Sequence, residues 1–193
     1  MKSNALLLKA EEKKNTRMTS YLPMAAVILS GSSLFAASPA SHTSAEASRL
    51  LTEVRSITHT LNRDAATLES YRLGGFDWRT HAHQLTLAKQ HINSIGERLD
   101  SLEAMRSSAA PWQQEAIDSI TPVAAQLASR TEAAINHLNE SPRHLYAPVY
   151  TGHLGAIAGH ANRMKQSVDV FLDLAGAQEK LDSLHDRASA LRS

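Results

Sequence analysis

Cysteine is absent from these 193 residues. Without a thiol the chain can form no disulfide. It also offers no thiolate metal site, no lipid on cysteine and no thioether-linked haem. Aromatic side chains are scarce, at 5% of the composition, so packing has to rest on aliphatic residues. An excess of either charge is missing as well: 20 Lys and Arg stand against 19 Asp and Glu. That balance gives no electrostatic case for nucleic acid, whose recognition draws on a surplus of cations. Familiar catalytic signatures do not occur. The chain has no Gly-x-Ser-x-Gly, no phosphate loop, no dinucleotide-binding glycine pattern and no His-Glu-x-x-His. The Glu-x-x-His pair of di-iron helical bundles is missing too. No motif marks an enzyme.

What is present suits one domain. Hydrophobic residues make up 42% and charged residues 20%, a globular and not a disordered balance. Ala, Ser and Leu dominate, and the Ala and Leu content leans toward helix.

The first forty residues differ in kind. Lys2, Lys9, Lys13, Lys14 and Arg17 make a basic start, and Leu22 to Ala37 is uncharged and mostly apolar. Small residues follow at Ser38 and Ala40. This reads as a secretory signal peptide over 1–40, cleaved after Ala40 because Pro39 disfavours a cut just before it. Met18 is an alternative start, at the loss of the basic residues. Retention of the segment as a membrane anchor is the other alternative, though its apolar part is short and serine-rich for a span. The first forty hold five basic and two acidic residues, so 41–193 carry 15 basic and 17 acidic, a net charge of −2.

The rest of the chain is organised around Gly74-Gly75. Reading outward, Tyr71 faces Trp78, Leu68 faces His81, Leu61 faces Ala88 and Leu50 faces Leu99; each pair of residue numbers sums to 149. That is the pattern of an antiparallel helical hairpin. The first helix starts at Thr43 or Ser44 as N-cap and follows the seam Ala47, Leu50, Val54, Ile57, Leu61, Asp64, Leu68, Tyr71. The glycines close it. Asp77 caps a second helix with the seam Trp78, His81, Leu85, Ala88, Ile92, Ile95, Leu99, Leu102.

Pro111 suits the first turn of a third helix running to about Glu140. Its seam is Gln113, Ile117, Ile120, Ala124, Leu127, Thr131, Ala134, Leu138, and Pro122 inside it predicts a kink or a break. Pro148 begins a fourth, with the seam Tyr150, Leu154, Ile157, Ala161, Met164, Val168, Phe171, Ala175. The third and fourth helices pair with sums near 288, the second and third with 215 or 216. Three hairpins that agree on one set of layers predict an all-α, antiparallel up-down-up-down four-helix bundle over 41–175, roughly 40 Å long.

Two features depart from this scheme. Gly152, Gly155 and Gly159 allow another helix to approach closely or leave space for a ligand. From Leu174 the apolar phase slips to Leu174, Ala177, Leu181, Leu184, Ala188 and Leu191. Residues 176–193 thus form a C-terminal helical extension, marginal alone in water. It requires a partner, a second copy or its own bundle end, with self-association the expectation.

Trp78-Arg-Thr-His81-Ala-His83-Gln-Leu85, His91-Ile-Asn93 and Pro111-Trp-Gln-Gln-Glu-Ala-Ile117 resemble a group of exported helical-bundle proteins with no assigned activity. The resemblance covers most of 60–175. It implies a fold and no function.

Two candidate sites emerge. Asp64, His81 and Thr131 are the polar seam positions away from the outermost layer, and they fall in adjacent layers. A buried carboxylate needs a partner. An Asp64–His81 hydrogen bond, completed by Thr131, is therefore expected as a register device or small ligand site, unless Ala65 rotates into the seam and Asp64 faces water.

The second candidate is the histidine-rich pole formed by the first and third connections. A divalent metal, zinc or copper, would need three or four converging nitrogens. The candidates are His81, His83, His137, His144, His153 and His160; the alternative is that they flank the core edge and loops. Met105 and Met164 share no layer with a seam histidine, which weakens a haem reading. Tyr71, Trp78 and Tyr150 are expected to plug the bundle end.

The sequence therefore predicts an exported binding or structural module of the cell envelope, periplasmic or extracellular and without catalysis. Its partners would be an envelope component and a second copy, with a membrane only if the signal segment is retained. A metal- or haem-binding bundle is the rival reading.

Overall fold

A computed structural model of the chain describes residues 44–192. The expected signal segment, its cleavage position and Thr43 lie outside the described residues. Four long helices account for most of the rest: α1 Ala45–Ser70, α2 Trp78–Ala104, α3 Pro111–Glu140 and α4 Pro148–Ala190. Single 3-10 turns, Tyr71–Leu73 and Arg106–Ser108, follow α1 and α2. Among the described residues there is no strand. α1 packs against α2 and α4, and α3 packs against the same two helices.

The helix ends follow local chemistry. Ser44 Oγ accepts the Ala47 N–H at 3.3 Å, and Asp77 Oδ1 accepts the Thr80 N–H at 2.9 Å. Each side chain satisfies an amide that has no partner within its helix. Pro111 and Pro148 occupy first-turn positions, where a missing N–H costs nothing. Gly74 and Gly75 hold φ values of 100° and 94°, a region that favours glycine.

The interior is aliphatic. Leu51, Leu61, Leu68, Leu85, Ile95, Leu102, Ile117, Ile120, Leu127, Leu154 and Ile157 are fully buried. α1 deviates twice from the expected seam. Thr58 and Ala65 are buried where Ile57 and Asp64 were expected. A seam of alternating three and four residues averages 3.5 per turn, whereas a straight helix has 3.6 and drifts by about 20° per heptad.

Gln113, at the outermost layer of the third-helix seam, is fully buried. Its Oε1 accepts the N–H groups of Ser44 and Ala110 at 3.1 and 2.9 Å. Its Nε2 donates to the Ser44 carbonyl and Ser48 Oγ at 2.9 and 3.0 Å. One satisfied amide thereby joins the starts of α1 and α3.

Of the two outcomes expected at Pro122, the break does not occur: α3 runs unbroken from Pro111 to Glu140, and the proline ring lies exposed. Other expectations are corrected. No helix closes on Gly152 or Gly159, since a Cβ at either would meet nothing within 4 Å. A Cβ at Gly155 would lie 2.9 Å from the tip of Arg72, a side chain and not a helix backbone. Trp78 does not plug the core: it is exposed, with the Arg79 guanidinium 5.0 Å from its ring centroid. α4 continues through Gly176 to Ala190, and every described residue from 176 onward is exposed. Its own core therefore does not cover the tail. No helix of the described residues is long and apolar enough to cross a membrane.

Candidate functional site

The end of α1, the start of α2, the end of α3 and the start of α4 meet around His81 and Tyr150. The two connections beside them are tied together. The Gly75 N–H donates to Tyr146 Oη at 3.2 Å, and a Cβ on Gly74 would lie 3.6 Å from the Tyr146 ring. The extra backbone freedom of Gly74 and Gly75 lets the chain turn from α1 to α2 under that ring.

His81 is completely buried, as is Tyr150. Their Nδ1 and Oη atoms are 2.9 Å apart, while His81 Nε2 has no partner. Burial pushes His81 below the ordinary histidine range, against a weaker opposing pull from Asp77. Burial likewise pushes the Tyr150 hydroxyl above its ordinary range. Both residues are therefore neutral near pH 7, and their bond joins two uncharged groups.

Rings continue outward on both sides. Phe76 and Tyr71 have centroids 4.3 Å apart, and Tyr71 and His81 5.1 Å. His81 and Tyr150 are separated by 5.6 Å, and His137 stacks on Tyr150 at 5.2 Å. The His137 Nε2–H donates to the His144 carbonyl at 3.4 Å. Contacts through five rings thus link the connection after α1 with α2, α3 and α4, a rigid base for the surrounding surface.

That surface is unusually apolar. Leu73, Phe76, Trp78, Tyr146 and Val149 are all exposed, and all belong to this end. Beside them lies a groove of about 600 Å³ lined by Ala66, Glu69, Ser70, Arg72, Leu73, Tyr146 and Thr151. Arg72 Nη1 donates to Glu69 Oε1 at 3.2 Å within it.

The expected polar triad is not assembled. Ala65 fills the core position, and Asp64 sits half-buried at the edge, its Oδ2 3.0 Å from His91 Nδ1. Moving the carboxylate outward avoids the cost of burying a charge. Thr131 is buried as expected, but its Oγ1 has no partner. His81 pairs with Tyr150 instead of Asp64.

The six candidate metal ligands divide by exposure. His83 and His144 are exposed, His137, His153 and His160 are half-buried, and His81 is enclosed. Among the described residues no three His, Asp or Glu side chains are placed to hold one ion. His153 and His160 are both held below the ordinary histidine range, by burial first and then by neighbouring cations such as Arg130.

A charged cluster between α1 and α4 escaped the sequence reading. Asp169 Oδ1 accepts from Arg55 Nε at 2.7 Å and from His59 Nε2 at 2.9 Å. Its Oδ2 accepts from Lys165 at 2.9 Å. Burial alone would raise this carboxyl, but the three donors outweigh it and hold Asp169 well below the usual range. The cluster borders a second groove of about 530 Å³ that Arg63 also lines. The i,i+4 pairs Arg55/His59 and Lys165/Asp169 were its only local signal.

No protein-family model, curated protein or solved structure matches this chain.

Proposed function

We propose that the chain is an exported antiparallel up-down-up-down four-helix bundle that serves as a binding module of the cell envelope. It acts through contacts and not catalysis, at the end where residues 71–78 and 141–151 lie. The observation that carries this reading is the exposed collar of Leu73, Phe76, Trp78, Tyr146 and Val149. Clustered aromatic and aliphatic side chains on a rigid base are the composition of a docking surface. Arg72 and Glu69 in the adjoining groove supply one donor and one acceptor group for orientation. Export rests on the basic and apolar pattern of residues 1–40, and the topology on three hairpins with a common set of layers.

The test is photo-crosslinking in the native host, with benzoylphenylalanine placed at Phe76, Tyr146 or Val149 and at Gln126 on the exposed side of α3. Discrete adducts are expected at the first three positions and not at Gln126. Equal or absent adducts would overturn the reading. Metal analysis of the same purified protein addresses the rival: stoichiometric zinc or copper would replace the docking surface with a metal site.

A further inference from the structure

We infer that the exposed C-terminal third of α4 is a lipid-binding helix, selective for membrane surfaces with anionic headgroups. It is a different surface from the collar, and the inference does not depend on what the collar binds.

Val170, Leu174, Leu181, Leu184 and Leu191 are between 49% and 89% exposed. At about 100° per residue they fall on one stripe of the helix, with Ala177 and Ala188 between them. Charges are sorted around that stripe. Lys180 and Arg187 border it on one side, His185 and Arg192 on the other. Glu179, Asp182 and Asp186 lie on the opposite face, and Asp173, beside Val170 at the edge of the stripe, accepts from Arg55 at 3.1 Å. Among the described residues Asp182 receives a bond from Gln178 at 2.9 Å, and no acidic side chain pairs with Lys180, Arg187 or Arg192.

This arrangement decides between occupants. A second copy could align the leucines antiparallel, Leu181 against Leu184 and Leu174 against Leu191. That register sets Lys180 of each copy near Arg187 of the other, twice. A parallel pair would set Arg187 against Arg192. Like charges at such positions oppose pairing. A protein partner would be expected to meet an aromatic anchor, and residues 174–193 contain none.

A lipid surface suits every element. The leucines enter the acyl boundary, the long basic side chains reach sideways to anionic headgroups, and the acids face water. The helix already exists as a continuation of α4, so binding carries no cost of helix nucleation.

The test is flotation of the full chain with phosphatidylglycerol or phosphatidylcholine vesicles, alongside light scattering. The expected result is flotation with phosphatidylglycerol only. The double variant Leu181→Gln, Leu184→Gln should bind about a hundredfold more weakly, since each buried leucine contributes roughly a factor of ten. Replacing Lys180, Arg187 and Arg192 by Gln should cost about fivefold for each charge. All of these residues are exposed, so the variants should melt with the parent; if the leucine variant does not, the charge variant decides. Failure of the parent chain to float with phosphatidylglycerol would overturn the inference. Undiminished flotation of both variants would do the same, by locating binding elsewhere. A dimer abolished by the leucine substitutions would also overturn it, by showing a second copy on the stripe.

Discussion

His81 and Tyr150 share a hydrogen bond at 2.9 Å, and both side chains are fully buried. Tyr150→Phe leaves His81 Nδ1 without a partner, and His81→Leu leaves the tyrosine hydroxyl without one. Each should destabilise by about 1–3 kcal/mol. The double variant should cost about 1 kcal/mol less than the two single costs combined, because it removes both polar groups together. Urea denaturation of the four proteins checks this, and additive losses would mean that the bond contributes nothing. The sequence identified His81 as a buried polar residue but assigned it the wrong partner. Asp64 and Ala65 are adjacent in α1, and a half-residue error in helical phase exchanges them. Tyr150 was assigned to the same pole, but only the side-chain geometry shows its hydroxyl turned toward the imidazole.

At the scale of the elements, boundaries were the most legible feature, because caps and breakers act locally. Ser44, Gly74-Gly75, Asp77, Pro111 and Pro148 each mark an end by chemistry within one turn. Contacts between elements were less visible. Gln113 joins α1 to α3 across 69 residues, and Asp169 joins α4 to α1 across 110. The sequence places Gln113 in the apolar seam and Asp169 at an ordinary polar position, and local pattern shows the partner of neither. Gly96 and Gly159 have open space where a Cβ would go, so neither is required by packing. Gly96→Ala and Gly159→Ala should each stabilise by about 1 kcal/mol through helix propensity. Gly74→Ala should do the opposite, since its φ of 100° strains any residue with a Cβ. Thermal melts of the three variants separate the cases, and a gain at Gly74 would contradict the turn geometry.

For the molecule as a whole, pH dependence follows from one enclosed and two half-buried histidines. His81, His153 and His160 are held below the ordinary value of 6.5, each by burial first. The unfolded chain therefore takes up protons before the folded one as pH falls through 6.5, and stability declines below that point. Asp169 acts in the same direction further down. Its folded carboxyl is depressed, so its contribution is lost as pH drops below the unfolded value of 3.8. Denaturation midpoints across this range should fall toward acid, less steeply in His81→Leu, Tyr150→Phe. A flat profile above the carboxylate range would contradict the burial of these imidazoles.

The central claim is that the collar, and not a buried pocket, carries the function. Its direct measurement uses the triple variant Leu73→Ser, Trp78→Ser, Val149→Ser with benzoylphenylalanine at Tyr146, crosslinked in the native host. These three side chains are exposed, so the melting temperature should stay close to that of the parent while the adducts are lost. Adducts that persist unchanged in a folded variant would contradict the account.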